Sequence, residues 1–435
     1  MVRLSRRAAA SIPCSPLWPW RTIPRSTSKP IWPRPHVWHR QLQRPGKHSW
    51  RVVVSLWRDA QWCRAFAMPS IVSAEGEYRT DTLIIGAGQA GLAAAYYLKQ
   101  AGVPCILLEQ AREVGQAWAL RYASLRLFSP AWANALPGLK WPGPALRYPT
   151  KDEAAQYLRL YANYFDFEVH LGQRVVRVSA AEAGGFAAHT AGGARYLAKR
   201  VIVCTGGFEA AHVPAWASAL GAEVQQLHSS QYQAPAQLPG TGPVAVVGSG
   251  NSALQIAADV AATGRPVYIA FDPNTPTMPN NSLMWVLLKT FGVLRFSRHG
   301  WLGGWMHRRA EPVVAGDLRR LRRFGNVHWV GRARQAEGDA LLADAGRTPA
   351  LQAVVWATGF RPDYRWVELP VFDNQGVPVH HRGICTVPGF AFLGLPWLDS
   401  RGSALMGGVG PDAHRVVKAL LDSEIVVWQK KGTPA

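Results

Sequence analysis

The sequence has few cysteines and few acidic residues, and it lacks a long apolar run. Its five cysteines include no Cys-x-x-Cys pair, which argues against a dithiol redox centre or a disulfide-built scaffold. No apolar stretch approaches the roughly 20 residues of a membrane-spanning helix. We therefore expect a cytoplasmic protein with no integral membrane segment. Ser-His-acid, His-x-x-x-His and Cys-His sets are also missing, so the sequence predicts no metal site and no certain catalytic side chain.

The shortage of acids gives a net charge of +21, from 48 Lys and Arg against 27 Asp and Glu. Such a charge can indicate a nucleic-acid partner. However, residues 1–67 carry +12 of it and leave +9 for the other 368 residues, so we expect no nucleic acid. Residues 1–67 have no helical or strand periodicity, and we interpret them as a non-native or disordered extension before a true start at Met68. A targeting segment is the alternative.

What the sequence does contain is a repeated strand–turn–helix–strand pattern. The apolar run Leu83–Ile85 precedes a helical pattern at Leu92–Gln100 and a second apolar run at Cys105–Glu109. The same order recurs over residues 244–270, with a helix expected from Ala253 to Ala262. Two such βαβ units predict an α/β fold with two Rossmann-like dinucleotide-binding domains.

The glycines of the first unit have separate mechanical roles. Gly86 permits a tight turn after the strand, Gly88 lets the backbone approach a pyrophosphate, and Gly91 lets the helix pack closely on the strand. Glu109 ends the next strand, where a carboxylate accepts hydrogen bonds from a ribose diol. The phosphates would lie at the start of the helix.

The second unit repeats this arrangement with Gly248, Gly250 and Ala253, and Asp272 takes the position of the acid. Two dinucleotide sites in one chain favour electron transfer between a flavin and a nicotinamide coenzyme. These patterns do not tell which site holds which coenzyme.

Six further segments lie in a fixed order around these two units. They are Gly115–Trp118, Arg121–Pro130, Val203–Phe208, Leu227–Tyr232, Trp356–Arg361 and Gly407–Ala413. In order and spacing they resemble segments of the flavin-containing monooxygenases, most closely the bacterial and plant YUCCA-type branch. The resemblance extends over about residues 80–425.

This resemblance implies FAD in the first site and NADPH in the second, with the nicotinamide domain inserted into a discontinuous FAD domain. The expected boundaries are residues 78–215 and 353–430 for FAD and 216–352 for the nicotinamide. It also implies that NADPH reduces the flavin, which captures O2 as a C4a-hydroperoxide. That species then oxidises a small organic amine, sulfide or carbonyl compound.

The resemblance and the two turns together define the expected site. His228 and Tyr232 match the end of the family signature, although Ala222 and Val224 replace its Phe and Gly. The expected cofactor-binding residues are Gly86, Gly88, Gly91, Glu109, Trp118, Arg121, Leu127, Val176, Thr205, Gly206, Gly248, Gly250, Ser252, Asp272, Thr358, Gly359 and Asp412.

Several alternatives stay open at this point. Asp272 stands where the family has an arginine for the 2′-phosphate, which favours NADH, unless Arg265 binds the phosphate or Asp272 only opens a turn. An NAD(P)H–flavin reductase and a redox-regulatory accessory of ion transport are the competing functions. The apolar stretch from Met284 to Phe296 fits core, a cleft wall or a membrane surface. The chain is compatible with a homodimer.

Overall fold

A computed structural model describes residues 71–72 and 76–423 of the chain. The expectation for residues 1–67 therefore lies outside the described residues. The C-terminal helix expected from Ala413 to about Trp428 begins earlier, at Gly410, and runs to Asp422. Its expected last turn also lies beyond the part of the chain that is described.

Eight α-helices and twenty-two strands build the described part of the chain. The helices are α1 (Gln89–Gln100), α2 (Gln116–Ala119), α3 (Lys151–Tyr164), α4 (Asn251–Ala261), α5 (Ser282–Thr290), α6 (Trp301–His307), α7 (Ala315–Leu321) and α8 (Gly410–Asp422). The strands are β1 (Ile71–Val72), β2 (Glu77–Ile85), β3 (Cys105–Glu109), β4 (Val169–Leu171), β5 (Val175–Ala180), β6 (Phe186–Thr190), β7 (Arg195–Val203), β8 (Ala210–Ala211), β9 (Gln225–His228), β10 (Val244–Val247), β11 (Val267–Ala270), β12 (Thr277–Met278), β13 (Val313–Val314), β14 (Val327–Trp329), β15 (Ala333–Glu337), β16 (Ala340–Ala343), β17 (Gly346–Arg347), β18 (Ala353–Trp356), β19 (Phe360–Arg361), β20 (His380–His381), β21 (Ile384–Cys385) and β22 (Phe390–Phe392).

The first sheet has a parallel centre in the order β4–β3–β2–β7–β22. Strands β3 and β22 and the carboxyl halves of β2 and β7 are apolar and buried, as expected for a parallel sheet covered on both faces. Helix α1 begins at Gln89, three residues before the predicted start, because its Gln-Ala-Gly opening lacks the apolar periodicity that reveals the rest of the helix.

The second sheet is wholly parallel, in the order β14–β11–β10–β18–β9. It is inserted in the chain between β7 and β22 of the first sheet, which confirms the predicted fold class. Strand β18 pairs with β10 and β9, so residues 353–356 lie in the second sheet, whereas the sequence placed them at the start of the second FAD segment. A short run of buried apolar residues such as Ala353–Trp356 has the same pattern in either sheet, so the sequence could not assign it.

Each sheet has its own buried core. Helices α1, α3 and α8 contribute to the core around the first sheet, while α4 and α7 pack on the second. No helix among residues 76–423 is long and apolar enough to cross a membrane. The carboxyl ends of both parallel sheets carry the glycine turns, which is where α/β folds bind ligands.

Candidate dinucleotide cleft

The first glycine turn follows β2 and leaves an open space at the start of α1. Gly86 has a φ of +106°, and a Cβ there would lie 2.7 Å from the carbonyl oxygen of Cys204. At Gly91 a Cβ would lie 1.9 Å from the Gly86 carbonyl oxygen, so helix and turn are in direct contact. At Gly88, by contrast, a Cβ would meet no atom within 4 Å. Gly88 thus borders the space in which a pyrophosphate would contact the helix start.

Glu109 ends β3 beside this turn. Its carboxylate accepts hydrogen bonds from the backbone N–H of Ala87 and of Ala111, both at 3.0 Å. These two bonds fix the carboxylate at the carboxyl edge of the sheet. Its unused lone pairs can accept a ribose diol.

The second glycine turn repeats this geometry after β10. Gly248 has a φ of +149°, and a Cβ would lie 2.2 Å from the carbonyl oxygen of Ala357. Gly250 caps α4 and, like Gly88, has no atom within 4 Å of a Cβ position. Ala253 is fully buried against the strand. The second helix start therefore presents a similar open position.

Both helix starts open into one cavity of about 1040 Å³, which slightly exceeds the range of about 300–1,000 Å³ that is typical of a ligand pocket. Twelve of the predicted residues line it. They are Gly86, Gly88, Glu109, Trp118, Arg121, Leu127, Val176, Thr205, Gly206, Gly250, Ser252 and Gly359. The Thr205 hydroxyl is buried at the cavity wall beside the Tyr364 side chain.

Among residues 76–423, Arg121 is one of four arginines that line the cavity. Its guanidinium lies 5.1 Å from the ring centre of Phe360 and 5.7 Å from that of Phe208. Burial lowers the pKa of Arg121, and no carboxylate of the described residues pairs with it. A half-buried cation held by two rings is suited to an anionic group of a ligand.

Five predicted residues do not line the cavity. Gly91 and Gly248 serve the packing just described. The Thr358 hydroxyl donates to the carbonyl of His212. Asp412, 4 % exposed, accepts from Arg415 at 2.5 Å, and burial raises its pKa. Asp272 is the fifth.

The Asp272 carboxylate forms an ion pair with Arg332 and accepts the backbone N–H of Asn274 at 3.0 Å. The hydrogen bond from Arg332 holds the pKa of Asp272 below its usual range. The turn expected at Asp272 is present, and its carboxylate has a further partner, Arg332, that the sequence did not indicate. The Asp272 backbone N–H also donates to Ser249 Oγ at 2.8 Å, which joins the residue to the second glycine turn.

Arg265 is not available for a phosphate. It is 6 % exposed and donates to the carbonyls of Gly242 and Pro239, at 2.9 and 3.0 Å. It precedes β11, at the amino edge of the sheet, whereas the glycine turns lie at the carboxyl edge. Arg332 is the cation that sequence reasoning missed, because it lies 60 residues from Asp272 and no local motif marks it.

The signature histidine, His228, is 2 % exposed and lies outside the cavity lining. Its Nδ1 accepts the backbone N–H of Ser230 at 3.2 Å, so Nε2 carries the proton and donates to the Gly359 carbonyl at 2.9 Å. Burial lowers the pKa of His228, which favours this neutral form. His228 is thus a positioning residue for the backbone of Gly359, which does line the cavity.

The two segments of chain that connect the first sheet with the second lie side by side near His228. Strand β8 lies on the chain that leaves the first sheet, and β19 lies on the chain that returns from the second. They pair antiparallel, with Ala211 opposite Phe360. This crossing ribbon is the covalent connection between the two sheet units.

Tyr232 is fully buried, and its hydroxyl donates to Asp259 on α4 at 3.0 Å. A second tyrosine, Tyr122, was not singled out by the sequence. It lines the cavity from the first unit and donates to Gln255 Oε1 on α4 at 3.0 Å, while burial raises its pKa to about 12. Both hydroxyls anchor surrounding loops to helix α4.

Comparison with known proteins agrees with this geometry. Residues 83–289 match the family model described as pyridine nucleotide-disulphide oxidoreductase. An uncharacterized CzcO-like oxidoreductase of Geobacillus kaustophilus is 38% identical over 80% of this chain and 99% of its own length. The probable indole-3-pyruvate monooxygenase YUCCA1 of Arabidopsis thaliana is 30% identical over 62% of this chain and 64% of that protein.

Among solved structures, a flavin-containing monooxygenase of Stenotrophomonas maltophilia aligns with a TM-score of 0.66 and 27% identity, over 79% of this chain and 98% of that one. Two dinucleotide-binding folds, one inserted into the other and both bordering one cleft, are typical of flavoprotein oxidoreductases. The chain belongs to the flavin-containing monooxygenase family, and it is an NAD(P)H-dependent oxidoreductase. The family predicted from the sequence is confirmed.

Proposed function

We propose that the chain binds FAD at the Gly86–Gly91 turn and a nicotinamide dinucleotide at the Gly248–Ala253 turn, and that it inserts one oxygen atom of O2 into a small organic substrate. The single observation that carries this proposal is the shared cavity. Both helix starts open into it, so the reactive rings of two dinucleotides can meet without leaving the protein. Within the described residues, we propose 78–215 and 357–423 as the FAD domain and 216–356 as the nicotinamide domain.

The chain's own residues would bind and orient the two dinucleotides, and they would exclude water from the cavity. Gly88 and Gly250 admit the two pyrophosphates, Glu109 accepts a ribose diol, and Thr205 offers a hydroxyl at the cavity wall. His228 holds Gly359 in place from outside the cavity. Bound flavin supplies the oxygen chemistry, with the balance substrate + NAD(P)H + H⁺ + O2 giving oxygenated substrate + NAD(P)⁺ + H2O. A protein in this role needs no nucleophile or metal of its own.

The cysteines argue against a disulfide reductase. Cys204 is the one cysteine that lines the cavity among the described residues, and burial raises its pKa far above the usual range. A flavin-linked dithiol centre requires two close cysteines with accessible thiolate. Cys105 and Cys385 are both separate from the cavity lining.

The Asp272–Arg332 pair supports use of both coenzymes. Arg332 is half exposed and lies at the ribose position of the second βαβ unit, where a 2′-phosphate can compete with Asp272 for the guanidinium. A free diol can instead bind to the Asp272 carboxylate. NADPH is the coenzyme implied by the family, and we propose that NADH is accepted beside it.

The experiment measures coupled oxygenation in the purified protein. NADPH and O2 consumption are followed with a panel of amines, sulfides and ketones, and ¹⁸O2 is used to identify the inserted atom. We expect a substrate that takes up one ¹⁸O per NADPH consumed. Gly250→Val should retain flavin and lose NADPH oxidation, which separates the two sites. NADPH oxidation that yields only hydrogen peroxide with every compound would contradict the proposal and favour a flavin reductase.

A further inference from the structure

Helix α5 carries an apolar stripe on the side that faces solvent. Leu283, Val286 and Leu287 are 67%, 45% and 41% exposed, and Phe291, at the end of the helix, is 69% exposed. Their spacing of i, i+3, i+4 and i+8 places them on one helix face. Trp285 occupies the opposite face and is buried at 3 %. The stripe that normally packs into a core is thus unpartnered among the described residues.

The next helix repeats this feature. On α6, Trp301 and Trp305 are one turn apart and are 84% and 45% exposed. We call residues 282–309 the exposed aromatic segment. Buried glycines, Gly303 and Gly304, form the inner side of α6, so the two tryptophans are the bulky groups of its outer side.

The charges of this segment all have one sign. Residues 273–310 contain no Asp or Glu and include Lys289, Arg295, Arg298, Arg308 and Arg309. None of these five cations forms an ion pair with a carboxylate among residues 76–423. Two of them instead contact indole rings, with Arg309 at 3.8 Å from Trp305 and Lys289 at 4.7 Å from Trp132.

We propose that the exposed aromatic segment binds the surface of a membrane that contains anionic lipids. Tryptophan, phenylalanine and leucine enter the acyl boundary, while lysine and arginine remain at the headgroups. Anionic headgroups supply the negative charge that the protein does not provide here. With no spanning helix in the described part, the contact is peripheral.

Other possible binding partners of the exposed aromatic segment match its charges and apolar stripe less well. A second copy that met this segment across a twofold axis would place the same five cations against one another. Residues 1–67 of the same chain carry a net charge of +12, so they too have the wrong sign. An acidic protein could also satisfy the cations, but an apolar and aromatic helix face flanked by Lys and Arg is the composition typical of a helix that lies on a membrane surface.

Co-sedimentation of the full-length protein with vesicles tests the proposal. We expect binding to mixed phosphatidylcholine–phosphatidylglycerol vesicles at low salt, and at least tenfold weaker partition to phosphatidylcholine alone or at high salt. The double variant Leu283→Ser/Phe291→Ser should lose at least tenfold in partition. Lys289→Glu should weaken binding in the same direction.

Matched controls come from outside the segment. Leu146 is 60% exposed, and Leu146→Ser should bind vesicles like the wild type, as should Arg319→Glu. NADPH oxidation without vesicles should be equal in all variants, which verifies folding. Equal vesicle binding by the segment variants and the controls would overturn the proposal. So would a Leu283→Ser/Phe291→Ser protein that loses only self-association, because this outcome identifies a second copy as the occupant.

Discussion

Gly88 and Gly91 stand three residues apart in the first turn, yet the structure predicts opposite consequences of their substitution. Gly88→Val meets no protein atom within 4 Å at the Cβ, and the backbone φ of −77° suits any residue. Gly91→Ala would bring a Cβ to 1.9 Å from the Gly86 carbonyl oxygen and 3.1 Å from Ile84 Cγ2. The larger side chain should therefore do less damage to the fold.

The magnitudes follow from these distances. Real Cβ atoms stay at least 3.0 Å from such an oxygen, so Gly91→Ala requires helix α1 to retreat by about 1 Å from the turn. Overpacking of this kind costs roughly 1–3 kcal/mol, and more when the obstacle is backbone. Gly88→Val replaces a favourable helix cap and should cost about 1 kcal/mol. Its main effect is to fill the space of the pyrophosphate, so flavin binding should be lost.

Two measurements separate these effects. Thermal or guanidinium unfolding of flavin-free protein gives the stability, and the ratio of flavin absorbance to protein absorbance gives the occupancy. We expect colourless, folded Gly88→Val protein and strongly destabilised Gly91→Ala protein. A yellow Gly88→Val protein with stoichiometric flavin would refute the assignment of the FAD site. A Gly91→Ala protein as stable as the wild type would show that the close approach of helix and turn is unimportant.

Three further predictions concern the nicotinamide side. Asp272→Asn should free Arg332 and raise the ratio of kcat/KM for NADPH to kcat/KM for NADH by about tenfold, whereas Arg332→Ala should lower this ratio. If neither variant changes the ratio, other residues select the coenzyme. Tyr232→Phe removes a buried donor to Asp259 and should cost about 1–3 kcal/mol in urea unfolding with little change in KM for NADPH; an unaltered midpoint would contradict the anchoring role. Because burial lowers the pKa of His228, the unfolded state binds its proton first, so this contribution to stability is full above about pH 6.5 and declines below it. His228→Gln should flatten the fall in unfolding free energy between pH 7 and 5, and a profile parallel to that of the wild type would count against this.

The parts of the site that the sequence predicts well are those with local causes. Gly88 and Gly250 follow a strand and start a helix within a few residues, so their position in the cleft is readable from spacing alone. Glu109 is equally local, since it ends the strand that pairs with β2. The turn at Asp272 was likewise visible in the Asp-Pro-Asn order.

What the sequence could not predict depends on distant partners. Arg332 meets Asp272 only because β11 and β14 are neighbours in the second sheet. His228 and Tyr232 match a signature, but spacing gives no sign that their side chains point away from the cavity to Gly359 and Asp259. The apolar stripe of α5 that faces solvent has the same periodicity as a stripe that packs into a core, so the sequence pattern does not tell which way the stripe faces.

The crossing ribbon of β8 and β19 has a consequence for the evolution and engineering of this fold. Ala211 and Phe360 are direct Cα partners, so the inserted polypeptide leaves and returns at one point. The intervening residues form an exchangeable cassette whose removal need not move either end. A unit grafted from a relative at this ribbon would leave the chain ends of the first unit in place, but it would also have to provide the contacts between the units, such as Tyr122–Gln255.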